Sequence, residues 1–129
     1  MIFRIARHTN DLQRIIQFYT EILQLKVLGG FNAHEGYDGV FLGQEGQSWH
    51  LEFTSSAEKA DHRFDEDDLL VFYPTTQQEF EQILNSVIAN QVEVVKPKNP
   101  YWISNGVLIK DPDGHGVVIS GLRIGEHGL

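Results

Sequence analysis

The chain has 129 residues, 10 basic against 18 acidic side chains, a formal net charge of −8 and no cysteine. At 41% apolar and 22% charged residues it is one ordinary globular domain's worth of sequence, which argues against an extended disordered chain or a collagen-like fibre. The missing Cys excludes disulfides and thiolate chemistry, leaving His, Asp, Glu and carbonyls as metal ligands, and the acidic balance argues against nucleic acid and anionic membrane surfaces as partners.

Residues 2–7 alternate, Phe3 and Ile5 on one side and Ile2, Arg4 and Ala6 on the other, the period of a half-buried strand. The opening residues lack the apolar run of a signal peptide, and no segment nears the ~20 apolar residues of a bilayer span, so a cytoplasmic location is expected. Asn10 and Asp11 can cap a helix whose stripe is Leu12, Ile15, Ile16, Tyr19, Ile22 and Leu23. A short strand at 25–28 follows, closed by Gly29-Gly30, then strands at 40–42 and 49–53 around a turn with Gly43 and Gly46. Residues 55–68 are polar and acidic, with Phe64 as the one large apolar anchor.

The order then begins again. Leu69–Tyr73 has strand length, and Thr76 with Glu79 forms a capping box. Phe80, Ile83, Leu84, Val87 and Ile88 make a second helical stripe, and strands are predicted at 92–95, 107–109 and, after the Asp111-Pro112-Asp113-Gly114 turn, 117–119. Each half thus reads strand, helix, three strands, a structural duplication in which Gly39-Val40-Phe41-Leu42 and Gly106-Val107-Leu108-Ile109 hold the same place. The expected fold is α+β: a single domain of two βαβββ modules, about 1–55 and 67–121, joined by a polar loop 56–66. Their sheets form one curved mixed sheet around a cleft.

This ordered set resembles the vicinal-oxygen-chelate superfamily of glyoxalase I, extradiol dioxygenases and fosfomycin- and bleomycin-resistance proteins. It is carried by the opening strand into Asp11-Leu12 and Phe18-Tyr19, by Leu23 and Leu25, by Leu51-Glu52-Phe53 and by the Asp111–Gly114 turn. Gln24 departs from the Gly often found there. The resemblance implies a cleft in which a divalent metal is held by one residue from the first and last strand of each module, positions that fall at Arg4, Glu52, Asp68 and Val118. Only Glu52 is a good ligand. Arg4 has no lone pair to give, Val118 no donor, and a guanidinium repels a divalent ion. The expectation is therefore no metal or other cofactor, with Arg4 as a fixed positive charge beside Glu52 or Asp68; an internal salt bridge without catalytic duty is the competing reading.

His50 lies two residues from Glu52, on the same face of a strand. With His8 or His62 it is the alternative, a His/Glu metal site offset from the family position; without metal it is the best acid/base candidate. His115 and His127 are expected at the surface. Asn99-Pro100-Tyr101-Trp102 reads as a rigid loop offering a stacking platform, joined by Tyr37 and Trp49, while Phe18, Tyr19, Phe41 and Phe80 read as packing. The site expected from sequence has Glu52 and His50 as catalytic residues and Arg4, Asp68, Tyr101, Trp102 and Trp49 as substrate-binding residues. Its ligand is a small organic molecule, anionic or carbonyl-bearing, bound without metal. The alternatives are a metal-dependent lyase, isomerase or dioxygenase of the glyoxalase type, and an interaction module with a filled cleft. The resemblance further implies a homodimer.

Overall fold

The computed structural model describes residues 1–124; His127 lies outside them. The chain divides into two compact units, Met1–His62 and the residues from Arg63 onward.

The first unit carries β1 (Phe3–His8), α1 (Leu12–Gln17), a π-helical continuation Phe18–Ile22, β2 (Lys26–His34), β3 (Tyr37–Gly43) and β4 (Trp49–Ser55). The sheet order is β1-β4-β3-β2, with β1 parallel to β4 and the other pairs antiparallel. Asp11 caps α1 by accepting the Arg14 N–H. The wide turn after it places Phe18, Tyr19 and Ile22 together in the core. With Ile15, Leu42, Leu51 and Phe53 they fill one side of the sheet, and Tyr19 stacks on Phe53 at 5.2 Å. Burial of each such side chain stabilises by about 1.5–3 kcal/mol.

Leu25 N–H bonds back to the Tyr19 carbonyl across Gln24, whose φ is 60°. A side chain in that left-handed conformation carries a steric cost that glycine avoids. Gln24→Gly is expected to raise unfolding free energy by about 1 kcal/mol, read as a higher denaturation midpoint; an unchanged or lower midpoint would show that the strain is relieved elsewhere.

Gly29-Gly30 does not close β2. A Cβ on Gly30 would lie 2.7 Å from the Gly39 carbonyl oxygen, so the glycine serves close approach of two strands, and register shifts on either side carry β2 on to His34. The polar segment after β4 is fastened to β1. Asn10 exchanges bonds with Ala60, His8 Nε2 donates to the Glu58 carbonyl at 3.0 Å, and His62 Nε2 donates to the His8 carbonyl at 2.6 Å.

The second unit carries β5 (Leu69–Phe72), α2 (Gln77–Ala89), α3 (Pro100–Asn105), β6 (Gly106–Lys110) and β7 (Gly116–Ser120), in sheet order β5-β7-β6. Thr76 caps α2 through the Glu79 N–H at 3.0 Å, as the capping box requires. Ile83 and Val87 face the core, whereas Ile88 is exposed.

Two expectations are corrected here. The strand at 92–95 is reduced to a single bridge, Val95 with Leu108: Gln91 turns at φ 55°, the Val92 N–H is spent on the Val87 carbonyl of α2, and Pro97 cannot extend a ladder. The expected loop at 99–102 begins a helix instead, with Asn99 as cap to the Tyr101 N–H and Pro100 in the first turn. Among the described residues no helix is long and apolar enough to cross a membrane.

Candidate functional site

In a sheet, residues two apart and register partners share a face. Arg4 pairs with His50, Ala6 with Glu52, Phe41 with Glu52 and Gly43 with His50, so these side chains lie together on the face of the first unit opposite α1. Arg4 Nε donates to His50 Nε2 at 2.8 Å, and its Nη1 lies 3.8 Å from Glu52 Oε2. Accepting that bond leaves the His50 ring proton on Nδ1. The guanidinium lies over the Phe41 ring, 4.6 Å from its centroid, and His50 meets the same ring edge-on at 5.9 Å. Glu52 is 15% exposed and Arg4 47%, so the cation is anchored yet open to solvent.

An aromatic floor extends from Phe41. Phe31 lies 6.0 Å from it and covers Gly39, where any Cβ would collide with the Phe31 ring. Tyr37 meets His8 edge-on at 5.7 Å, and His8 Nδ1 bonds the Thr54 hydroxyl at 2.8 Å. Phe41, read from sequence as packing, and Phe31, which carried no signal, thus belong to this face; parity along β4 alone could not assign β3 without the register.

The other predicted site residues lie elsewhere. Trp49 pairs with Phe3 and so points to the face opposite His50 and Glu52. Asp68 is exposed just before β5, its Oδ2 accepting the Asp65 N–H at 3.2 Å. Leu69 pairs with Gly116, and Leu108 with Val118 as Phe41 does with Glu52, so Leu69, not Asp68, occupies the place in the second unit that Arg4 holds in the first. Trp102 is buried with Leu108 and Val118, packed by Leu69, Val71, Tyr73 and Val95. Tyr101 is 50% exposed, edge-on to Trp102 at 4.9 Å. His115, expected at the surface, is partly buried and stacks on Phe64 at 4.3 Å.

The donor set does not suit a divalent metal. The family positions supply one carboxylate beside a guanidinium in the first unit and the apolar Leu69 and Val118 in the second. Nor do the histidines assemble an offset site: His8, His50 and His62 each have a ring nitrogen committed to another partner, and among the described residues no three His, Asp or Glu side chains gather to hold an ion.

A βαβββ unit carrying a polar strand face, followed by a second strand-and-helix unit, places the chain in the vicinal-oxygen-chelate class. Residues 3–54 match the model of the YycE-like N-terminal domain and residues 67–121 that of the YycE-like C-terminal domain. The chain is 43% identical over 119 residues to the Bacillus subtilis (strain 168) protein described as "Uncharacterized protein YycE", covering 89% of this chain and 84% of that one. A Bacillus subtilis YycE crystal structure superposes with a TM-score of 0.85 at 39% identity, over 97% of this chain and 92% of that one. Glyoxalase I of Leishmania major shares the fold, with a TM-score of 0.72 at 22% identity over 93% and 85% of the two chains. The chain belongs to the YycE-like family of the vicinal-oxygen-chelate superfamily.

Proposed function

We propose that the protein binds a small organic compound through a carboxylate or comparable anionic or carbonyl oxygen, on the β1/β4/β3 face of its first unit, without a metal. The observation that carries this is the Arg4 guanidinium: tied to His50 and Glu52, stacked on Phe41, and still half exposed. A cation fixed in that way offers a planar fork to an oxygen pair at little further entropic cost. Phe41, Phe31 and Tyr37 supply apolar area for the rest of the ligand. His50 and Glu52 hold the guanidinium, and the Nδ1 proton of His50 is a donor for a second ligand oxygen.

Binding alone needs no acid/base chemistry, which is why it is preferred to a glyoxalase-type lyase, isomerase or dioxygenase, whose metal this donor set does not suit. A cytoplasmic homodimer belongs to the same proposal, the paired state supported by exposed Phe3 and Ile5 on the edge strand β1.

The test is a thermal-shift panel of benzoate, phenylglyoxylate, phenylphosphonate and uncharged benzyl alcohol, with and without EDTA. At least one anion is expected to raise the melting temperature, benzyl alcohol to have no effect, and EDTA to change neither result. A stabilisation that EDTA abolishes and a divalent ion restores would overturn the metal-free reading.

A further inference from the structure

The second unit holds a cavity of about 70 Å³ at one end of its sheet, lined by Phe64, Asp65 and Glu66, by Val95 and Leu108, by Gly114 and Gly116, and by Lys96, Lys98 and Lys110. That volume accommodates about five water-sized atoms. Its walls follow from the local fold. Val95 and Leu108 are bridge partners, Lys110 and Gly116 are register partners at the strand ends, and Phe64 is fixed by its stack on His115. Gly114 turns at φ 90° with open space where a Cβ would be, so the β6–β7 turn borders the cavity without a side chain.

The charge distribution is the informative feature. The protein carries −8 overall and only five lysines, yet three of the five line this one cavity. None of the three is ion-paired among the described residues. Of the two carboxylates on the lining, Asp65 is engaged by its own turn, Oδ2 accepting the Asp67 N–H at 2.8 Å. That bond leaves the Asp65 carboxylate charged, so Asp65 and Glu66 together oppose the three ammonium groups and the lining keeps one positive charge in excess. All three lysines are exposed, and a surplus of positive charge on the lining of a small cavity favours an anion there.

We infer that this cavity is a binding site for a phosphate-type oxyanion group, separate in its residues from the Arg4 face. Lysine is a compact, strongly hydrated point charge with three donors, suited to a tetrahedral oxyanion without the planar geometry that arginine selects. A phosphoryl group has five heavy atoms, matching the space. Phe64, Val95 and Leu108 add apolar contact for the organic part of a phosphate ester.

The experiment titrates the full-length protein at low ionic strength with inorganic phosphate and, in parallel, phenyl phosphate, following backbone amide NMR shifts. Saturable shifts are expected at 64–66, 95–98 and 108–116. Lys96→Gln, Lys98→Gln and Lys110→Gln should each weaken binding by about tenfold, with Lys26→Gln, outside the cavity, unchanged. Glu66→Gln should tighten it. Phenyl phosphate binding tenfold tighter than phosphate identifies a phosphorylated small molecule as the ligand, and equal binding identifies the free anion. Absence of saturable shifts for both, shifts scattered over all basic residues, or affinity unaffected by the three lysine variants overturns the inference. Thermal melting confirms that each variant is folded.

Discussion

Trp102→Ala is expected to destabilise the protein by about 3–5 kcal/mol, the range for deleting a large buried aromatic from a packed core. The indole fills the space between α3 and the β6–β7 face, against Leu108 and Val118, with Leu69, Val71, Tyr73 and Val95 around it. It also packs against Gly106, where a Cβ would lie 3.1 Å from the ring. Nothing else on α3 can take that volume, since Tyr101 and Ile103 are half exposed. Tyr101→Ala should cost only about 1 kcal/mol, chiefly its edge-on contact with Trp102. The contrast separates a core residue from a ligand platform. Denaturant titration of the two variants measures it, and a Trp102→Ala loss below about 1 kcal/mol would show that the indole is not packing the unit.

Arg4→Met is expected to lower affinity for the best-binding anion of the thermal-shift panel by about 100-fold, as lost charge-assisted hydrogen bonds are worth about 1.5–3 kcal/mol. Stability should change little, because Arg4 is half exposed and its pair with Glu52 is long at 3.8 Å. Arg4→Lys keeps the charge but loses the fork and most of the stacking on Phe41, so it should recover only part of the affinity. Calorimetric titration reads both. Undiminished affinity in Arg4→Met would reduce the guanidinium to an internal ion pair.

Apart from the strand at 92–95 and the helix α3, the repeating order of elements was legible because apolar periodicity is local, and parity along β4 correctly set His50 and Glu52 on one face. The same parity sets Trp49, one residue from His50, on the opposite face. The glycine pair in β2 misled because glycine marks both turns and close strand contacts, and only the neighbour at Gly39 distinguishes them. Asn99-Pro100 carries a helix-start signal, cap followed by Pro, in residue types that suit a loop equally well. Asp68 differed from the true counterpart of Arg4 by one residue, and an alternating strand turns one residue into the opposite face. Phe31 and Phe41 joined the candidate site through long-range pairing, which no spacing along the chain encodes.

The two halves have parted ways on equivalent positions: where the first holds a half-exposed arginine beside a mostly covered glutamate, the second presents leucine and valine to a tryptophan. Polar replacements should therefore be tolerated on one copy and ruinous on the other. Any drift in what the Arg4 face recognises has to be written in the first sixty residues, with the later copy held fixed by its own packing.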